Sequence, residues 1–194
     1  MTSQTLHQPL IHRLVPGTHK SLRTFLQILV GVAFVALLAQ VRVQVGPVPL
    51  TGQTLGVLLL GAAYGTRLGA ATLATYLLVG ALGLPIFQGA ASGWAYLMGS
   101  TGGYLVGFVL AAALVGALAE RGWDKHVASA ALAMLLGNLV IYAPGLLWLH
   151  RISPDWATTL QWGLTPFVLG DLLKLALAAG LLPTAWRLVG KKPR

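Results

Sequence analysis

The stretch LQWGLTPFVLGDLLKLALAAGLLPTAW, residues 160–186, decides how this chain folds. Its only charges are Asp171 and Lys174, and an apolar run of this kind is typical of a membrane-spanning helix. At helical spacing, positions three apart share a face, so the carboxylate and the ammonium point into one small volume. Both groups are costly to bury in a bilayer and need each other or a ligand. The pair therefore indicates either a functional site or a structural ion pair with a lysine that reaches the membrane surface.

The composition around this stretch indicates an integral membrane protein. The chain has 194 residues, of which 56% are hydrophobic and 9% are charged, whereas soluble domains carry about 25% charged residues. The net charge of +9 is spread between apolar runs, which argues against a nucleic-acid partner. The chain has no cysteine, which excludes disulfides and cysteine-ligated metals.

The apolar runs predict an all-α membrane protein with six transmembrane helices. Prolines at 47 and 49 force a bend between the first two spans, and Gly65-Thr66-Arg67 predicts a tight turn between the second and third. The domain organisation that follows is a cytoplasmic tail at 1–21, one six-helix domain at 22–190 and a basic cytoplasmic tail at 191–194. The expected spans are 24–41, 50–64, 68–82, 101–119, 127–149 and 165–188.

The basic residues predict that both termini are cytoplasmic. With that orientation only Arg42 and Arg151 lie outside, and the positive-inside rule favours such an asymmetry. Asp171 then lies about 9 Å below the outer end of the last span, at 1.5 Å per residue. The uncharged, aromatic-rich loop 86–100 is expected to fold back over this half of the bundle. An outward-facing ligand cavity is the prediction.

The residue types favour binding over catalysis. Asp171 is the only acid within a span, so a catalytic triad, paired carboxylates or a metal site would each lack members, and we expect no enzyme activity and no cofactor. Gly99-Ser100-Thr101-Gly102-Gly103 lacks the Gly-Lys-Ser/Thr of a phosphate loop and is better explained by close helix packing.

Apolar walls with a few placed polar groups are typical of a small-molecule site. Each candidate also has a simpler explanation, because Trp and Tyr form interfacial belts and Gln and Asn join helices. The polar side chains predicted to contact the small molecule are those of Asp171, Lys174, Gln53, Gln88 and Asn138. The predicted apolar walls are Phe87, Trp94, Tyr96, Tyr142 and Trp148.

Five motifs in order resemble one known family. Together they resemble the BioY family, the biotin-specific S components of energy-coupling factor transporters, over roughly residues 24–188. The motifs are VPLTGQTLG at 48–56, GLPIF at 83–87, GSTGGYLVGF at 99–108, YAPGLLWL at 142–149 and GDLLK at 170–174.

The resemblance implies a six-helix S-component fold that captures biotin with high affinity from outside and mediates its uptake. It implies partnership with a transmembrane coupling protein and two ATP-binding-cassette ATPases, in a prokaryotic cell membrane and among its lipids. About six helices are few for a self-contained pump, so a homo-oligomer is the alternative to such partners. It also implies that Asp171 and Lys174 sit in the biotin site and that the loop between helices 3 and 4 acts as a lid. One departure concerns helix 1, where the small residues Gly31, Ala33, Ala36 and Ala39 lack the four-residue spacing of an Ala-x-x-x-Ala docking face.

Two alternatives remain open at this point. The same fold could bind another vitamin-sized substrate, or the chain could be a small helical channel or scaffold whose Asp171–Lys174 pair is structural.

Overall fold

A computed structural model describes residues 20–190, so the predicted tails, 1–21 and 191–194, lie outside the described residues except for positions 20 and 21, which belong to the first helix. Helices dominate this part of the chain. The α-helices are α1 Lys20–Gln40, α2 Gln53–Ala81, α3 Trp94–Leu97, α4 Gly102–Ala119, α5 Val127–Leu149, α6 Trp156–Gly163 and α7 Phe167–Gly190, with strands β1 Arg42–Val43 and β2 Leu50–Thr51 and 3₁₀ turns Gln88–Ala90 and Trp123–Lys125.

Among residues 20–190, five helices are long and apolar enough to cross a membrane, namely α1, α2, α4, α5 and α7. The sequence predicts six spans, and the difference lies in α2, which contains both the second and the third expected span. The chain is a multi-pass helical membrane protein.

Helix α2 is interrupted at Gly65, where the sequence predicts a tight turn. Gly65 has φ 79° and ψ 179°, a backbone conformation that is nearly restricted to glycine. Gln53 Nε2 donates to Tyr76 Oη at 2.9 Å, although 23 residues of straight helix would separate them by about 34 Å. The two halves of α2 therefore fold back on each other, and a Cβ on Gly69 would contact the backbone of Gly61.

The bend at Gly46-Pro47-Val48-Pro49 is the tip of a short antiparallel hairpin. Strand β1 pairs with β2, with Arg42 opposite Thr51, and Gly46 has φ 76° at the turn. Val48 and Pro49 are buried in spite of their place at the tip. The hairpin thus folds inward over the helices.

Segment 86–100 packs back onto the bundle, as its lack of charge predicts. Its backbone is tied by Gly93 N donating to Gly80 O at 2.7 Å, and Trp148 Nε1 donates to Gly99 O at 2.9 Å. The Ser100 hydroxyl donates to Pro47 O at 2.7 Å and joins this segment to the hairpin.

Helix α6 lies in the connection between the last two predicted spans. Asp155 caps it, because its Oδ1 accepts from Thr158 N at 2.7 Å. With eight residues, α6 is too short to cross a bilayer.

Side-chain contacts define two ends of the bundle. At one end, which we call the basic end, Glu120 accepts from Thr66 N and Oγ1, each at 2.9 Å. The Lys125 ammonium lies 5.2 Å from the Trp186 ring centroid at the same end. At the opposite end, the cavity end, Arg42 Nη1 donates to Gln88 Oε1 at 2.7 Å. The four arginines and lysines at 67, 121, 125 and 187 lie in or beside the contacts of the basic end.

Candidate ligand-binding site

A narrow cavity of about 40 Å³ lies between the helices at the cavity end. Its walls come from four helices, the hairpin and segment 86–100, and they combine aromatic and aliphatic surfaces with a few polar groups. The lining residues are Val48, Pro49, Thr51, Gln53, Thr54, Gln88, Tyr96, Thr101, Tyr104, Leu105, Phe108, Ile141, Tyr142, Phe167 and Lys174.

The ion pair predicted from the sequence is formed beside this cavity. Lys174 Nζ lies 3.0 Å from Asp171 Oδ1, one turn away on α7. The ammonium also donates to Thr54 Oγ1 at 2.9 Å, and the Tyr142 hydroxyl donates to Asp171 Oδ2. Three helices, α2, α5 and α7, therefore meet at one charged cluster.

Asp171 and Lys174 relate differently to the cavity. Lys174 lines it, whereas Asp171 is buried behind the wall, only 6% exposed, and accepts from its neighbours with both oxygens. An ammonium has three donors, and two of them are engaged by Asp171 and Thr54. Among residues 20–190, no hydrogen bond engages the third donor, and Asp171 and Thr54 fix the position of the ammonium.

A second polar group, Gln53, extends this cluster along the wall. Gln53 is buried, and its Nε2 donates to Tyr76 Oη at 2.9 Å while the Thr51 hydroxyl donates to its Oε1 at 3.1 Å. The Tyr76 hydroxyl donates in turn to Ile86 O at 3.0 Å, at the start of segment 86–100. The network links the wall of the cavity to the segment that covers it.

The mouth of the cavity carries Gln88 and Tyr96. Gln88 accepts from Arg42, so a cation lies beside the opening. Tyr96 stacks on Phe87 with ring centroids 4.9 Å apart, and burial raises the pKa of its phenol. The tyrosine is therefore a neutral hydrogen-bonding group at the mouth.

The structure brings most of the predicted site residues together, but not all. Gln53, Gln88, Tyr96, Tyr142 and Lys174 line the cavity, with Asp171 directly behind them. Phe87 and Asn138 are buried off the cavity wall: Phe87 supports Tyr96, and Asn138 Oδ1 has no hydrogen-bond partner in the described part of the chain.

The predicted wall residue Trp94 does not line this cavity. It is 65% exposed and, like Trp148, borders a separate groove on the outside of the bundle. Residues two apart in a helix do not face the same way, so α3 turns Tyr96 inward and Trp94 outward.

Several lining residues were missed by reasoning from residue types. Thr54 contacts both charged side chains, yet a threonine in an apolar helix usually bonds its own backbone and attracts no notice. Tyr104 and Phe167 stack with ring centroids 6.4 Å apart on the wall. The signal for Thr54 was its place next to Gln53, which puts it inside the 48–56 motif.

The fold and the cavity define a class: a multi-pass helical membrane protein with an ion pair beside a cavity of aromatic, aliphatic and polar side chains. A family model narrows this class to one family, because residues 9–191 match the model of the BioY family. The chain belongs to the BioY family.

Similar proteins agree with this assignment. A probable biotin transporter BioY from Pyrococcus horikoshii is 38% identical over 147 residues, covering 76% of this chain and 86% of that protein. A biotin transporter BioY from Thermotoga maritima is 38% identical over 149 residues, with the same two coverages. The crystal structure of an S component for biotin from an ECF-type ABC transporter superposes with a TM-score of 0.77 at 22% identity, covering 92% of this chain and 96% of the other. The predicted likeness to the helical fold of an S component is confirmed.

Proposed function

We propose that this chain captures biotin from outside the cell and mediates its uptake as the S component of an energy-coupling factor transporter. The observation that carries the proposal is the Lys174 ammonium, held by Asp171 and Thr54 with one donor left for the cavity. Relatives named as biotin transporters support biotin as the substrate.

The cavity suits the chemistry of biotin. The fused rings and the aliphatic chain fit apolar walls such as Leu105, Phe108 and Ile141. The ureido carbonyl is a neutral acceptor for Lys174, whereas the carboxylate of biotin would leave a net negative charge in the buried cluster at a large desolvation cost. We therefore orient the ureido ring towards Lys174 and the carboxylate towards Arg42 at the mouth.

This orientation is tested with Arg42→Gln and two ligands. The variant should bind biotin more weakly but should bind biotinamide, which has no carboxylate, as well as the wild type does. An equal loss for both ligands would place the carboxylate elsewhere.

The same proposal includes the topology and the partners. The basic residues at positions 67, 121, 125 and 187 favour a cytoplasmic basic end, so both termini lie in the cytoplasm and the cavity faces outward. The fold-back at Gly65 supports six membrane crossings. A coupling protein and two ATP-binding-cassette ATPases supply the energy in the cell membrane.

Direct binding of biotin to the purified chain is the decisive experiment. A thermal-stability panel of vitamins should single out biotin, because a ligand at 100 times its Kd stabilises the fold by about 2.7 kcal/mol. Stabilisation by another vitamin but not by biotin would keep the fold class and overturn the substrate.

Energy coupling needs a separate measurement, namely biotin uptake by cells with and without the ATPase module. We expect accumulation only when the module is present. Accumulation without it would overturn the assigned dependence on those partners.

A structural role for the ion pair is the second candidate, and one observation favours it: Asp171 and Lys174 already satisfy each other. Asp171→Asn separates the two. A ligand-positioning role predicts weaker biotin binding, while a purely structural role predicts a lower melting temperature at unchanged affinity.

A further inference from the structure

A second depression lies on the outside of the bundle, back to back with the ligand cavity. Its volume is about 360 Å³, and its surface is almost entirely apolar. Trp94, Leu78, Met98 and Val106 are each more than half exposed along it. The lining residues are Leu77, Leu78, Ala81, Trp94, Leu97, Met98, Gly102, Val106 and Trp148. We call this depression the outer groove.

The cationic side chain of Arg151 lies at one edge of the outer groove. The Arg151 guanidinium carbon lies 4.5 Å from the centroid of the Trp148 ring, which lines the groove. The indole is fixed in turn, because its Nε1 donates to Gly99 O at 2.9 Å. Arg151 follows directly on the end of α5 at Leu149, and its side chain is exposed. The groove therefore joins a long apolar surface to one accessible positive charge.

This combination matches the two parts of a phospholipid. Aromatic residues at the ends of membrane helices mark the depth of lipid headgroups, and Trp94 and Trp148 put the rim of the groove at that depth. Below them the groove runs along α2 and α4, both candidate membrane spans. An arginine pairs well with a phosphate because its fork of donors matches the phosphate oxygens.

We propose that the outer groove binds one phospholipid, with an acyl chain along Leu78 and Val106 and the phosphate on Arg151. The bound lipid also braces the segment over the ligand cavity. Helix α3 is shared between the two sites: Trp94 and Leu97 face the groove, whereas Tyr96 lines the cavity. A chain packed against α3 keeps it from moving outward and so slows the release of the ligand. This second effect rests on the proposed function.

The test uses two variants of the full chain and a matched control. Val106→Phe fills the groove from an exposed position on α4, and Leu110→Phe places the same ring one turn further along, on an exposed position outside the groove. Arg151→Gln removes the cation. Dipalmitoyl phosphatidylglycerol is titrated into delipidated protein in detergent, and bound lipid is counted by native mass spectrometry. Dipalmitoyl glycerol, which lacks the phosphate, is the second probe.

We expect Val106→Phe to weaken retention of both lipids by about tenfold or more, a loss of about 1.4 kcal/mol, and Leu110→Phe to behave as the wild type. Arg151→Gln should weaken retention of phosphatidylglycerol but not of the diacylglycerol. Biotin should dissociate several times faster from lipid-free protein than from protein with phosphatidylglycerol, and the difference should vanish in Val106→Phe.

Two results would overturn the proposal. One is equal lipid retention by Val106→Phe and Leu110→Phe, and the other is lipid loss with no change in the biotin dissociation rate. If the wild type binds no biotin at all, the proposed function fails, but the lipid counts still decide whether the outer groove is a lipid site.

Discussion

The two ends of the bundle each bury one aspartate, and the two are used differently. Asp124 at the basic end is 3% exposed and Asp171 at the cavity end is 6% exposed. Asp124 accepts from Trp186 Nε1 and so joins the 3₁₀ turn to the last part of α7. Asp171 accepts hydrogen bonds from side chains of α2, α5 and α7, and the donor from α7 is Lys174, which lines the cavity.

Because both aspartates are buried, burial of a charge does not by itself identify a binding site. Both carboxylates satisfy the rule that buried charges are hydrogen-bonded or paired. The difference is that the Asp171 cluster includes Lys174, whose side chain lines the cavity. Changes at the cavity end should therefore act on affinity, and changes at the basic end on stability.

Lys174→Met should have the largest effect on binding. It removes the donor that faces the cavity, and hydrogen bonds to charged groups contribute about 1.5–3 kcal/mol, so the affinity for biotin should fall by about 100-fold. Isothermal titration calorimetry measures the change.

The matched control is Asp124→Asn, the corresponding change of a buried charge at the basic end. It should lower the melting temperature with an unchanged Kd. A loss of affinity as large as that of Lys174→Met would erase the distinction between the two ends.

Gly65→Ala should lower the free energy of unfolding by about 2 kcal/mol, because alanine is strained at the positive φ that reverses α2. The affinity for biotin should stay the same, since Gly65 lies at the basic end. Gly180→Ala is the control: within residues 20–190, no atom from outside this part of the helix lies within 4 Å of a Cβ built there, so this helical position should gain slightly in stability. Denaturation of both variants in detergent measures the difference, and an equal response would contradict the assigned strain.

The long helices, the ion pair and the turn near Gly65 could be predicted from the sequence. The apolar runs located the long helices to within a few residues, because membrane helices must satisfy their backbone within the segment. The Asp171–Lys174 pair followed from helical spacing in an uncharged run. The turn near Gly65 followed from its small residues, although α2 runs through it as one interrupted element.

The rest depends on tertiary contacts. Which way α3 faces cannot be predicted from a four-residue helix, so Trp94 and Tyr96 were both expected in the cavity although only Tyr96 lines it. Thr54 gains its role only when α7 packs against α2 and brings Lys174 within 2.9 Å. Helix α6 was not predicted, because eight residues with one capping aspartate give only a weak helical pattern in the sequence.

Tyr142→Phe tests one hydroxyl beside the ion pair at the cavity end. It removes the hydroxyl that donates to Asp171, and we expect the lysine to settle more firmly on the carboxylate and the affinity for biotin to fall by about tenfold. Tyr104→Phe is the matched control, since Tyr104 also lines the cavity but donates to Gly163 O at 2.9 Å. Equal losses in the two variants would show that the hydroxyls act through packing and not through the ion pair.

The smallest effect concerns Asp155, a third aspartate, exposed at the cavity end. The backbone N–H of Thr158 donates to this carboxylate and lowers its pKa below the ordinary value of 3.8. A lowered folded pKa means that the cap stabilises α6 above the pKa of the unfolded chain and that this contribution is lost as the pH falls through the folded value. The amide shift of Thr158, followed by NMR, should therefore titrate below pH 3.8 in the wild type and show no such titration in Asp155→Asn, where the side chain still caps the helix. A midpoint at or above the ordinary value would mean that the cap is not formed in solution. Because Asp155 does not line the cavity, the Kd for biotin should be equal in the two proteins at neutral pH. This result would distinguish an aspartate that only caps the start of a helix from Asp171, which we propose positions the lysine at the cavity.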